Sequence, residues 1–166
     1  MTLDRLWAGW RATYINEVAT QRAPDDDECL FERLAAADPD EALVLARTDG
    51  AFVVMNAYPY TSGHLMVAPL RHVGTLAALT RADAAELMAL TQDATAAIDA
   101  AYSPEGINVG VNIGRAAGAG IPGHVHVHVL PRWNGDTNFM TSVAEARVLP
   151  EPLTTSYEKL KAAWPA

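Results

Sequence analysis

Residues 124–130 read His-Val-His-Val-His-Val-Leu, a strict alternation of imidazole and aliphatic side chains. A β-strand has a side-chain period of two, so in an extended segment His124, His126 and His128 share one face and Val125, Val127 and Val129 the other. Valine is β-branched and suits a pleated, half-buried surface. A helix would scatter the same imidazoles around its axis. On a strand, successive histidines would stand roughly 6–7 Å apart. Three uses fit such a row: a solvated polar face of an edge strand, a zinc site, or covalent catalysis in which the central imidazole attacks phosphorus.

The 166 residues suffice for one domain with a proper core, and half of them are hydrophobic. No apolar run approaches the roughly 20 residues that a membrane span needs, and the N-terminus lacks the apolar core of a secretory signal. Cys29 is the only cysteine, which excludes an intrachain disulfide and makes the cytoplasm the expected compartment. The net charge of −8 argues against long nucleic acids as partners, since these require a basic footprint. A small anion remains compatible, because a few arginines and backbone N–H groups can hold a phosphate in an acidic protein.

Taken in order, Leu3 to Val18 carries Leu6, Trp7, Trp10, Tyr14 and Ile15 and reads as an arm that packs on the domain or on a second subunit. Asp25-Asp26-Asp27 precedes a short helix that ends before Asp38-Pro39. Ala42–Arg47 and Ala51–Asn56 are β-rich runs joined at Asp49-Gly50, a hairpin signal. Ala57–Ser62 is a loop and His64–Ala68 a strand. Thr80–Ala101 is a long helix with a capping pattern at Thr80 and Asp83 and a packing face of Ala84, Leu87, Met88, Thr91, Ala94, Ile98 and Ala101. Ile107, Val109, Val111 and Ile113 alternate with Asn108, Gly110 and Asn112 in another strand. The Gly/Ala-rich loop Gly114–Gly123 runs directly into the histidine row, where glycines permit close backbone approach to a ligand. Arg132-Trp133-Asn134-Gly135-Asp136 follows, and Thr154–Trp164 reads as a terminal helix. This order argues for a single α+β domain with an antiparallel sheet: an arm and short helix over 1–40, a catalytic core over 41–140 and an extension over 141–166.

The chemistry follows from the central imidazole. Neutral histidine is a good nucleophile near pH 7, and attack on a phosphoanhydride would split the displacement into two easier steps through a phosphoramidate. One ring nitrogen of His126 must be free to attack. The other must donate to an acceptor that fixes the tautomer, with a backbone carbonyl the expected partner.

The 124–130 motif resembles the defining signature of the histidine triad superfamily of nucleotide hydrolases and transferases. Residues 56–72, NAYPYTSGHLMVAPLRH, resemble the upstream half of that family. Residues 112–139, NIGRAAGAGIPGHVHVHVLPRWNGDTNF, are similar to a bacterial branch related to diadenosine tetraphosphate phosphorylases. The resemblance implies a five-stranded antiparallel sheet with one long helix and short terminal helices, assembled as a homodimer. It implies cleavage of a dinucleoside polyphosphate at the α-phosphorus through a nucleotidyl-His126, with water or inorganic phosphate as acceptor. His128 would contact the α-phosphate and assist the leaving group, while His124 and His64 support. Asn56 would meet the ribose, Asn112 the phosphate region, Gly118, Ala119 and Gly120 the phosphate path, and Trp133 the substrate.

Two departures qualify the resemblance. Many fragile-histidine-triad hydrolases carry glutamine four residues before the first triad histidine, where this chain has Gly120; phosphorylase or transferase chemistry is therefore open. Some relatives bind zinc through an early Cys-x-x-Cys and two histidines. The matching positions here are Cys29, Glu32, His72 and His124, which form either a degenerate structural zinc site or a lost one, with Cys29 a small buried hydrophobe. No cofactor is required for the reaction. The rival readings are an adenosine phosphoramidate hydrolase, a non-catalytic nucleotide-binding module, and a hydrolase with catalytic zinc.

Overall fold

Two β-rich runs and the turn between them begin the sheet. In the computed structural model, which describes residues 29–136 and 150–165, Val44–Arg47 (β1) and Ala51–Met55 (β2) pair antiparallel, with Arg47 opposite Phe52. Thr48 N–H closes the turn on Ala51 O at 2.8 Å. Glu86, from the long helix, holds the turn from outside, accepting from Gly50 N–H at 2.8 Å and from Thr48 Oγ1 at 2.6 Å. Leu65–Pro69 (β3), Gly106–Val111 (β4) and Val127–Arg132 (β5) complete a five-stranded antiparallel sheet of order β1-β2-β3-β5-β4.

Among the described residues three α-helices accompany the sheet: Leu30–Ala36 (α1), Arg81–Tyr102 (α2) and Leu153–Ala162 (α3). Thr80 and Asp83 form the expected reciprocal cap at the start of α2, and Ser103, in the left-handed region, ends it. The helix buries Leu87, Leu90, Thr91, Ala94, Ala97 and Ile98. They pack on Ala51, Val53, Leu65, Val67, Val127 and Val129 from the central strands. Met88, expected in this packing face, is instead 57 % exposed. It stands about 100° around the axis from Leu87, on the flank of a stripe that Leu90 and Ala97 complete from the other side. The opposite face of the sheet, with Phe52, Val54, Met66 and Ala68, is covered by Phe31 of α1.

The histidine segment differs from expectation in one respect. Ladder pairing starts at Val127, not at His124, and runs on to Arg132. Before it, Val125 N–H bonds to Val73 O at 2.7 Å, so the chain is held by a loop and not by a neighbouring strand. The aromatic arm expected over 3–18 lies outside the described residues, as does 137–149. Among the described residues no helix is long and apolar enough to cross a membrane.

Candidate active site

The imidazoles gather on one side of the sheet. The ring centroids of His126 and His128 are 4.8 Å apart, those of His64 and His128 5.1 Å, and those of His72 and His124 5.4 Å. All five histidines of the chain therefore meet there. Val127 and Val129 enter the core beneath α2, as the two-residue period requires. Two aromatic rings brace the row. Phe31 lies 5.0 Å from His124 and 4.8 Å from His126. Tyr60 lies 4.5 Å from His64 and stacks on His128 at 5.7 Å with a 24° interplanar angle. The sequence reading named neither ring. Position was the available signal, since Phe31 is two residues after Cys29 and Tyr60 four before His64.

Backbone groups dictate where the protons sit. His126 Nδ1 is 2.8 Å from the carbonyl oxygen of His124, which can only accept, so Nδ1 carries the hydrogen and Nε2 the lone pair. Among the described residues that Nε2 has no hydrogen-bond partner. The fully buried, unpartnered side-chain polar atom among the described residues is Ser62 Oγ, so Nε2, though His126 is only 4 % exposed, is not sealed from solvent. His64 is fully buried, and its Nδ1 faces Tyr60 N–H at 3.1 Å and Asn56 Nδ2 at 3.2 Å. With donors on that side, Nδ1 must accept and Nε2 must donate, and it does so to His128 Nδ1 at 3.0 Å. His128 is left with its own hydrogen on Nε2. One imidazole thus offers a lone pair and its neighbour an N–H. Burial pushes the pKa of His126 below the ordinary imidazole value against the pull of the His124 carbonyl. Burial, with the neighbouring His126, pushes His128 down to about 4.

The residues expected to bind nucleotide are placed as follows. Asn56 is 8 % exposed; its Oδ1 accepts from Tyr58 N–H at 2.9 Å while its Nδ2 points at His64. On β4, Gly110 is paired with His128 and Val111 with Val127, the last pair of the ladder, and Asn112 directly follows the end of the strand. The absence of a side chain at Gly110 leaves open space beside His128, as nothing lies within 4 Å of where a Cβ would stand. Gly118 ends a short 3-10 turn, Arg115–Ala117, with φ 88°; Ala119 is half-buried and Gly120 exposed. Trp133 packs edge-on against Tyr102 at the end of α2, 6.1 Å between centroids.

Cys29, His72 and His124 each bring one ligating atom within 4.8 Å of the others. Their tautomers suit a cation. His124 Nε2 donates to Pro69 O at 2.8 Å, turning its Nδ1 lone pair to Cys29 Sγ at 3.2 Å. His72 Nδ1 donates to Glu32 Oε2 at 3.0 Å, leaving Nε2 free. A ligating histidine ordinarily donates its second N–H to an oxygen in this way, and the sulfur–nitrogen set fits zinc. Glu32 thus stands behind His72, outside the three atoms that gather.

Comparison with known proteins places these observations in a family. The model of the HIT domain matches residues 39–135. The AP-4-A phosphorylase of Mycobacterium tuberculosis is 41 % identical over 165 residues, which is 98 % of this chain and 85 % of that protein. The asymmetrical bis(5'-nucleosyl)-tetraphosphatase of Schizosaccharomyces pombe is 33 % identical over 59 % of this chain and 53 % of its own length. Among solved structures, a zinc-bound histidine triad family protein from Mycobacterium smegmatis superposes with a TM-score of 0.66 at 27 % identity, covering 82 % of this chain and 92 % of that one. A HIT-like protein from Bartonella henselae has a TM-score of 0.67 over 86 % of this chain and 99 % of its own, and at 21 % identity it speaks to the fold. With the domain match spanning the whole sheet and the whole imidazole row, the chain belongs to the HIT domain family.

Proposed function

We propose that this protein cleaves dinucleoside polyphosphates of the diadenosine tetraphosphate kind at the α-phosphorus, through a nucleotide covalently bound to His126, and that inorganic phosphate is the acceptor. The observation that carries the reading is the paired polarity of His126 and His128. The His124 carbonyl leaves a lone pair on His126 Nε2, and the bond from His64 leaves a hydrogen on His128 Nε2. In the first step His126 Nε2 bonds to the α-phosphorus as the bond to the bridging oxygen breaks, and His128 Nε2–H stabilises charge on phosphate oxygens or protonates the departing polyphosphate. In the second, a phosphate oxygen displaces the imidazole, giving a nucleoside diphosphate. Water in that role would give a monophosphate.

Phosphate is favoured over water as acceptor by the relative named for phosphorolysis, at 41 % identity, and by Gly120 where many hydrolases of the family have glutamine. Asn112 and the 118–120 loop are assigned to the phosphates, Asn56 to the ribose and Trp133 to the rim. A homodimer in the cytoplasm completes the reading: β4 is an edge strand and its Val109 is 50 % exposed, a surface suited to a second copy. Where zinc is bound, Cys29, His72 and His124 would hold it and Glu32 would orient His72. Its contribution would be a structural cross-link between α1 and the start of the histidine segment.

The test is incubation with diadenosine tetraphosphate labelled at the α-phosphorus. The label should become attached to His126 in an acid-labile bond and leave as nucleoside diphosphate only when phosphate is supplied. Intact cleavage by H126A would sink the covalent reading. Binding without turnover would favour a nucleotide-binding module, and faster turnover of an adenosine phosphoramidate would favour that substrate class.

A further inference from the structure

We infer that Tyr60 is a positioning residue whose ring and main-chain N–H hold the His64–His128 pair in the one arrangement that presents an N–H from His128 to the site. The functional part of this inference rests on the role given above to His128. Tyr60 touches both members of the pair, its N–H 3.1 Å from His64 Nδ1 and its ring stacked on His128 and tilted over His64. His64 is fully buried, His128 partly buried and Tyr60 42 % exposed, so the phenol ring shields the imidazole–imidazole hydrogen bond from solvent on the side it covers. Such a bond is sensitive to that layer. A neutral imidazole has two tautomers of similar energy, and water bridging His64 Nε2 and His128 Nδ1 would satisfy either. With water excluded, the donor at His64 Nδ1 propagates through the bond, and both rings keep their hydrogens on Nε2. The main-chain half is built into the turn Tyr58–His64. The ring is the half that a side-chain substitution removes.

The experiment is nitrogen-15 NMR of the full chain with labelled histidines, without nucleotide, in wild type, Y60F and Y60A. Wild type and Y60F are expected to show His64 and His128 as Nε2–H tautomers, with a His64 Nε2–H that exchanges slowly with solvent. In Y60A that proton should exchange too fast to be seen, and His128 should become a mixture of tautomers. Turnover should follow, with kcat down about tenfold in Y60A and KM changed by no more than about twofold. An unchanged His64 signal in Y60A, or the same loss in Y60F as in Y60A, overturns the inference whatever the turnover. Failure of the covalent reading is separate: it would appear as undiminished cleavage by H126A and would leave the imidazole signals of wild type, Y60F and Y60A as described.

Discussion

His126 Nδ1 and the main-chain oxygen of His124 are bonded at 2.8 Å, so the ring whose Nε2 lone pair is the proposed nucleophile is oriented by backbone two residues away. The side chain of His124 is not part of that bond. It is fastened elsewhere, to Pro69 O and toward Cys29. Substitution at the two positions should therefore separate. H126A is expected to lose about a thousandfold or more in kcat. H124A keeps the acceptor carbonyl and should lose tens-fold at most, with a lower melting temperature, because a fully buried ring is removed from beside Phe31. Equal losses in both, with both folded, would show that the side chain of His124 acts in the chemistry.

The low pKa values of His126 and His128 set the pH response. A nucleophilic imidazole must be neutral, and burial keeps His126 neutral below the pH at which a free histidine protonates. The acid limb of kcat/KM should accordingly fall below pH 6.5, the ordinary histidine value. For stability, His128 has a pKa of about 4 in the folded chain against 6.5 as its ordinary value. Between those values the unfolded chain binds the extra proton. The contribution is thus fully present above about pH 6.5 and is lost as pH falls toward 4. Urea midpoints measured across that window should decline in wild type and decline less in H128N.

The histidine row was legible because it is local: a period of two in seven consecutive residues needs no knowledge of the rest of the chain. The capped helix α2 and the Asp49-Gly50 hairpin were legible for the same reason, each being marked by residues at fixed short spacings. What depends on distant partners was not. Ladder pairing begins only at Val127 because β3 supplies Val67 as its partner there, while Val125 finds a loop carbonyl. Met88 has the right spacing for the core, and only the placement of α2 across the sheet decides that Leu90 is inside instead. The two aromatic braces come from α1 and from the loop before β3, and beyond their short spacing from Cys29 and His64 nothing in the sequence signals an imidazole as neighbour.

Metal binding should affect the fold more than the reaction. Cys29 is on the threshold of α1, and Phe31 in that helix touches His124 and His126. An ion on Cys29, His72 and His124 would tie α1 to the sheet without touching the lone pair of His126. Zinc at about a hundred times its dissociation constant should add about 2.7 kcal/mol, a rise of roughly 5–10 °C in melting temperature for a chain of this size. C29S should abolish both the rise and stoichiometric zinc retention, measured by elemental analysis. Turnover in excess chelator should persist; its complete loss with recovery on adding zinc would assign the metal a part in the reaction.

Gly63 links the turn that carries Tyr60 to His64, and its backbone is in the left-handed region at φ 78°. A Cβ added there would stand 2.7 Å from Cε2 of Tyr102. That ring cannot readily move aside, since its hydroxyl donates to Glu151 Oε1 at 2.5 Å, which also accepts from Ser156 Oγ at 2.7 Å. G63A therefore meets a conformational penalty and a steric one together, and should cost about 2–3 kcal/mol of stability. G106A is the control, as that position has no positive φ and no atom within 4 Å of a new Cβ; it should change stability by less than about 1 kcal/mol. The strain at Gly63 is relieved most easily by shifting the 57–63 turn, which carries the Tyr60 N–H away from His64 Nδ1. G63A should then lose kcat as well as stability even well below its melting temperature, whereas an effect on stability alone would show that the turn yields on the Tyr102 side and leaves the imidazole pair undisturbed.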